Sequence, residues 1–332
     1  TQQRAQHMRS IVCENWGGPE KLVLKDIDPP SLSAGQVRLQ VSVAAVTFVD
    51  LLMLRGKYQV KPDLPFTPGS HAAGEVIEVA DGVTSIKVGD RIYGFAAWGA
   101  LADEMIVDES ACFVLPDGVD NEVGAAYGNG YATSFYALRD RGKLQPGETL
   151  LVHGAGGGVG LAAVDLGRAM GARVIATARG AAKAAVLKTY GAEAVIDYTQ
   201  GPFKDQVKAL TDGNGADVIY DPVGGDVFDQ SLRCINWDGR LLVIGFAGGT
   251  IPQAPANLPL LKSCAIVGVS LGGYRERFPQ AVRDIHGTLL SWIAESRIKP
   301  RVASRFPVAK TKEALQAMEK RETIGRVIVT FD

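Results

Sequence analysis

Residues 148–172 read ETLLVHGAGGGVGLAAVDLGRAMGA, and few folds accommodate such a segment. An apolar run ends at His153, small residues fill positions 154–160, and a helical pattern begins near Val159. Small residues let the backbone turn tightly from strand to helix. The free amides and dipole at the helix start then favour an anion such as a pyrophosphate. The loop reads A-x-G-x-x-G through Ala155, Gly157 and Gly160, with Gly156, Gly158 and Val159 between them. A glycine fingerprint alone is weak, and its context decides.

That context is a series of alternating strands and helices. ETLLVHG, ARVIATA, AEAVIDY, ADVIYDPVG, GRLLVIGFAG and AIVGVS are apolar runs suited to strands. Between the first five lie VGLAAVDLGRAMG, AAKAAVLKTYG, FKDQVKALT and GDVFDQSLRCIN, which suit helices. This spacing predicts βαβ units and a doubly wound parallel sheet, with both faces of each strand covered. Residues 8–125 differ: VRLQVSVAAV, AAGEVIEVA, DRIYGF and DEMIVD are short strand-like runs separated by Gly and Pro turns. They predict a coiled β-rich domain. Helices near 278–296 and 310–320 and a last strand, GRVIVTF, complete the chain.

Dinucleotide folds usually carry an acidic residue at the end of the second strand, which holds the ribose hydroxyls. Here Ala178 occupies that position, followed by Arg179, with Lys183 four residues on. The missing carboxylate removes a group that would repel a 2′-phosphate, and a guanidinium can pair with that phosphate bidentately. NADPH rather than NADH is the expected cofactor, with Tyr198 at the end of the third strand placed to bond or stack nearby.

With 332 residues the chain suits about two domains. Thirty-five basic and 36 acidic residues balance, which argues against nucleic acid or an anionic membrane as a partner. Cys13, Cys112, Cys234 and Cys264 are too far apart for a zinc or dithiol motif and read as reduced core residues. No apolar run reaches the length of a membrane span, and residues preceding Met8 lack a signal-peptide pattern. A soluble cytoplasmic protein is expected, with residues 1–7 an extension ahead of a start at Met8.

GGPEKLVL, VDLLMLRGKY, LPFTPGSHAAGEV, VGDRIYG, HGAGGGVG, YDPVGG, GRLLVIGFAGG, NLPLLK and GRVIVTF follow one another in order. In this series the chain resembles the zinc-free, zeta-crystallin-like quinone oxidoreductase branch of the medium-chain dehydrogenase/reductase superfamily. The resemblance implies a GroES-like catalytic domain (8–126 and 274–332) with a Rossmann domain (127–273) inserted. It also implies a homodimer joined through the Rossmann edge strands. The alcohol dehydrogenase branch takes its catalytic zinc from Cys, His and Cys. By position these correspond to Thr47, Ser70 and Asn129, none of them a usual zinc ligand. His71 beside Ser70 makes no site alone, and GFAAWGALADEM replaces the cysteine-rich structural zinc loop. No metal is expected.

The resemblance also assigns candidate residues. Thr133 matches a position facing the cofactor. Phe246, Ala247 and Gly248, with Val269, Ser270 and Leu271, follow the last two strands of the sheet and should flank the nicotinamide. Arg321 matches an arginine that reaches the 2′-phosphate. Thr47, Asp50 and Tyr58 match the substrate pocket, although relatives often carry Asn and Tyr where this chain has Thr47 and Leu52. No catalytic acid is assigned, and protonation from solvent suffices. The implied activity is NADPH-dependent reduction of a quinone without metal. Reduction of activated C=C bonds (2-alkenals, enones, enoyl thioesters) is the enzymatic alternative, and Arg55, Lys57 and Lys61 around Tyr58 would suit an acyl thioester. A non-catalytic structural or nucleic-acid-binding role is a more distant one.

Overall fold

The computed structural model describes residues 7–331. The expected extension over 1–7 therefore falls, apart from His7, outside the described residues. In chain order the elements begin with β1 (Met8–Cys13), β2 (Leu22–Ile27), β3 (Gln36–Val46), α1 (Phe48–Leu54) and β4 (His71–Val79). They continue with β5 (Arg91–Phe95), β6 (Glu104–Asp108), β7 (Cys112–Val114) and α2 (Asn121–Phe135). Then come β8 (Thr149–Val152), α3 (Gly158–Ala169), β9 (Arg173–Ala178), α4 (Ala181–Thr189), β10 (Ala192–Asp197) and α5 (Phe203–Leu210). After these lie β11 (Ala216–Asp221), α6 (Asp226–Cys234), β12 (Ile235–Val243), α7 (Asn257–Lys262) and β13 (Ala265–Gly268). The last are α8 (Leu271–Arg277), α9 (Pro279–Ala294), β14 (Val302–Pro307), α10 (Thr311–Glu319) and β15 (Arg326–Thr330).

Two compact units result, one comprising residues up to Gly128 together with those from Pro300, the other Asn129–Lys299. The first boundary falls inside α2, where Gly128 leaves helical geometry and breaks the helix.

The first unit is GroES-like. Its main sheet runs β14-β15-β3-β4-β5-β7 with β6 on β3, and β1 and β2 form a separate antiparallel pair. Val37, Leu39 and Val41 alternate inward from β3, then Ala44 and Val46, to meet Leu51, Leu54, Leu101 and Met105 in one core. Near its end, where β15 and β4 pair with it, β3 is buried without a break from Val43 to Val46.

The second unit is a Rossmann fold. Its six parallel strands run β10-β9-β8-β11-β12-β13, so the strand order reverses between β8 and β11. β8 is buried throughout, as its unbroken apolar sequence requires.

One expectation is corrected. The chain returns to the first unit at Pro300 rather than at residue 274. α9 is fastened to the second unit by an edge-on contact of Phe135 with Trp292 (5.4 Å between ring centroids) and by Arg297 stacked over Trp292. The Arg297 guanidinium also donates to the Ala169 carbonyl, and the Lys299 amide to the buried Asp165 carboxylate at 2.6 Å. Helical periodicity shows an apolar face but not which sheet that face covers.

Candidate functional site

In the second unit the loop after β8 forms a compact turn. Gly154 has φ of +57°, a conformation suited to glycine. The Ala155 amide donates to the Thr177 carbonyl (3.3 Å), and the Gly157 amide to that of Gly154 (3.0 Å). Gly157 caps α3, and Gly156, Gly158 and Val159 complete the curve into its first turn. Gly160 packs so tightly beneath the loop that a Cβ there would stand 2.2 Å from the Gly154 oxygen. The turn thus presents the start of α3 where the strand order reverses, the usual location of a dinucleotide pyrophosphate.

Lys183 reaches across this loop from α4. A Cβ on Gly156 would meet its Cδ at 3.0 Å and its Nζ at 3.5 Å. Arg179 is exposed at the end of β9, directly after the buried Ala178. Tyr198 is half exposed after β10. Loop, lysine, arginine and tyrosine thus share the end of the parallel sheet formed by the strand C-termini.

The premise that no carboxylate faces this end is corrected. Asp197 is the register partner of Ala178 on the neighbouring strand. Its Oδ2 accepts the Gly180 amide (3.1 Å), while its Oδ1 accepts the Thr199 amide (2.9 Å) and hydroxyl (2.7 Å). These bonds, led by the Thr199 hydroxyl and joined by the charge of Arg179, hold the carboxyl below its ordinary range.

Residues absent from the sequence argument support the loop. The Ser134 hydroxyl donates to the Val159 carbonyl (2.9 Å) and lies 2.8 Å from the Tyr220 hydroxyl. Thr133, its neighbour, is partly exposed. His153 is buried between the Thr177 and Ser231 hydroxyls (3.0 and 2.8 Å), and burial lowers its pKa to about 3, so it stays neutral. Asp221 Oδ1 accepts the Val223 and Gly224 amides, which fixes the YDPVGG turn. Its position just before Pro and Gly was a legible turn signal.

Phe246, Val269 and Ser270 line a cavity of about 590 Å³ together with Tyr136, Arg141 and Tyr274. The Ala247, Gly248 and Val269 amides bond to the carbonyls of Pro222, Val223 and Val243, so they serve the turns rather than a ligand. Leu271 is buried at the start of α8.

In the first unit, Thr47 and Asp50 meet at the start of α1. Asp50 Oδ2 accepts the Thr47 amide (2.6 Å) and hydroxyl (3.0 Å). Burial outweighs these bonds and pushes the Asp50 carboxyl up to about 6. The Ser70 hydroxyl donates to the Ala97 carbonyl, and His71 Nδ1 lies 2.8 Å from the Tyr93 hydroxyl within a buried aromatic group. Tyr58 is half-buried and packs on the core. Arg55 pairs with Glu319, so it is not an open cation beside Tyr58 and Lys57. Arg321 also belongs to this unit, exposed at the end of α10 with φ of +56°.

A Rossmann unit carrying a glycine phosphate loop, with a GroES-like unit built from both ends of the chain, defines a medium-chain dehydrogenase/reductase. The sequence matches the family description "Alcohol dehydrogenase GroES-like domain" over residues 33–117 and "Zinc-binding dehydrogenase" over residues 158–287. It is similar to a quinone oxidoreductase-like protein 2 homolog of Nematostella vectensis, with 40% identity over 97% of this chain and 88% of that one. The quinone oxidoreductase of Pseudomonas aeruginosa is 34% identical over 95% of this chain and 97% of its own. Among solved structures, an Escherichia coli quinone oxidoreductase complexed with NADPH has a TM-score of 0.91. Its identity is 30%, over 97% of this chain and all of its own. The chain belongs to the quinone oxidoreductase-like branch of the medium-chain dehydrogenase/reductase superfamily.

The residues do not fit the zinc that one family description names. Thr47 and Ser70 offer hydroxyls already bonded to Asp50 and to a carbonyl, and Asn129 offers an amide, where tetrahedral zinc takes thiolate, imidazole or carboxylate. Among the described residues no three His, Cys, Asp or Glu side chains gather as a metal site. Nor is any described helix long and apolar enough to cross a membrane.

Proposed function

We propose that the protein is an NADPH-dependent, metal-independent reductase of quinones. The observation that carries this reading is the phosphate loop at the sheet's switch point, with Lys183 across it and Arg179 at the end of β9. The turn at 154–160 would hold the pyrophosphate, and Arg179 with Lys183 and Tyr198 the adenosine 2′-phosphate. Thr133, Phe246, Val269 and Ser270 would flank the nicotinamide ring. When bound, NADPH supplies the hydride.

The chemistry of the donor set favours an acceptor that needs no Lewis acid. Zinc polarisation is worth several kcal/mol to a carbonyl or alcohol substrate. A quinone spreads the incoming charge over a conjugated oxygen and needs mainly orientation and hydrogen-bond donors. Tyr58 is the hydroxyl donor proposed for that oxygen, while Thr47, whose hydroxyl donates to Asp50, and Asp50 are proposed as pocket lining.

An acceptor panel tests the reading: 1,2-naphthoquinone, 9,10-phenanthrenequinone, 2-alkenals and crotonyl-CoA, each with NADPH and NADH and with a chelator present. Quinone turnover unaffected by the chelator is expected. Turnover confined to alkenals or thioesters would reassign the substrate, and no turnover at all would remove the enzyme reading. Arg179→Ala should lower the NADPH:NADH ratio of kcat/KM roughly tenfold, chiefly through KM for NADPH. A charge-assisted bond is worth about 1.5–3 kcal/mol before screening, and about 1.4 kcal/mol is tenfold.

A cytoplasmic homodimer joined at β13 completes the proposal. β13 is an edge strand, with Ile266 exposed on it. Leu260 and Leu261, on α7 just before it, are 79% and 67% exposed. Open edges and clustered apolar side chains favour association. Size-exclusion chromatography should show a dimer that Leu260→Glu/Leu261→Glu converts to monomer.

A further inference from the structure

The end of the sheet that would hold the adenosine phosphate carries both charges. Arg179 follows β9, and Asp197 ends β10 in register with Ala178. Through the Gly180 amide (3.1 Å) the Asp197 carboxylate is tied to the very turn that carries Arg179. The Thr199 amide and hydroxyl orient its other oxygen. The carboxylate that NAD-dependent folds place on the second strand is thus supplied here from the third, one strand over at the same level.

A carboxylate in this position has two effects. Its Oδ2, which accepts only the Gly180 amide, keeps a second lone pair for a hydroxyl of an unphosphorylated ribose, whereas Oδ1 already accepts two bonds from Thr199. It also repels a 2′-phosphate, which carries close to two negative charges. Arg179 and Lys183 act in the opposite sense.

We propose that Asp197 is a specificity-determining residue that restrains the preference for NADPH, so that the protein also uses NADH and the balance between Asp197 and Arg179 sets the ratio. This deepens the reading that the Arg179 turn receives the 2′-phosphate and rests on it.

Asp197→Asn separates charge from shape. The amide oxygen can still accept from the Thr199 amide and hydroxyl, so the side chain keeps its size and that anchor, while the bond from the Gly180 amide and the negative charge are lost. The expected result is a rise of roughly three- to tenfold in the NADPH:NADH ratio of kcat/KM, the scale of one charge pair near a solvated surface. It should come from a lower KM for NADPH and an unchanged or higher KM for NADH. The rise should shrink in high salt, because the interaction is exposed to screening. Asp197→Ala also loses the acceptor, so a raised KM for both cofactors is expected, which a purely electrostatic role would not produce.

Thermal unfolding of each variant checks that the sheet is intact. An unchanged or lower ratio in a folded Asp197→Asn protein overturns the proposal, whatever Arg179→Ala does. A ratio unmoved by Arg179→Ala, in contrast, overturns the reading of the phosphate turn. The two failures are thus told apart by different variants.

Discussion

Gly160→Ala should cost the protein several kcal/mol of stability and nearly all of its NADPH affinity. The added methyl would stand 2.2 Å from the Gly154 carbonyl oxygen and 2.8 Å from both the Gly154 carbonyl carbon and the Ala155 Cα. All three are backbone atoms, so no side-chain rotation relieves the clash. Forcing a methyl into a packed site costs about 1–3 kcal/mol when neighbours can yield. Here the neighbour is a turn held by the Gly154–Gly157 and Ala155–Thr177 hydrogen bonds, and a larger loss is expected. Relief requires α3 to move away from the loop, which takes with it the amides proposed for the pyrophosphate. Gly157→Ala is the matched control. Its methyl meets nothing closer than 3.4 Å, at the same Gly154 oxygen, and the residue is exposed. Stability should change by well under about 1 kcal/mol, while NADPH affinity falls because the methyl occupies the space the pyrophosphate would approach. Thermal unfolding and fluorescence titration with NADPH measure both. Equal melting temperatures for Gly160→Ala and wild type would refute the packing argument.

The contrast between those two glycines shows what a sequence conveys. That a helix follows a glycine turn was legible from HGAGGGVG, and the parallel sheet from unbroken apolar strands such as TLLV, which is buried at every position. Which glycine supports the fold and which faces a ligand was not, because both have negative φ and differ only in what lies above them. Asp197 was hidden for a related reason. Spacing along the chain locates the end of the second strand at Ala178, but side chains of the third strand reach that place only through lateral pairing. Short helices such as α8, with two glycines in LGGYRER, are too brief and too flexible to show periodicity, and the same is true of α7 with its proline. The return point at Pro300 depended on where Trp292 and Arg297 dock, a tertiary fact. In the GroES-like unit, AAVTFVD marked Thr47 and Asp50 as neighbours at a helix start, as a polar residue followed three later by an acid often does. Their mutual hydrogen bonds and the full burial of Asp50 emerge only in the folded unit.

That burial has a pH signature. Asp50 is fully buried, and desolvation raises its carboxyl from the ordinary 3.8 to about 6 against the pull of the Thr47 bonds and of the Arg326 charge. The folded state therefore holds the proton more tightly than the unfolded chain. Its contribution to stability is complete below about pH 4 and is lost as pH rises through 6. A rise of about two pH units corresponds to about 3 kcal/mol over the full window, roughly half of it between pH 5 and pH 8. Asp50→Asn removes the titration, yet its amide oxygen can keep both bonds from Thr47. The variant should lose less stability than wild type between pH 5 and pH 8, a difference of about two degrees in melting temperature for a protein of this size. Asp50→Ala should instead be less stable at every pH, because the Thr47 amide and hydroxyl lose their acceptor at the start of α1. Melting curves of the three proteins from pH 4 to pH 8 decide the matter. Parallel pH dependence in wild type and Asp50→Asn would show that Asp50 is ionised in the folded protein throughout, with Arg326 and Thr47 outweighing its desolvation.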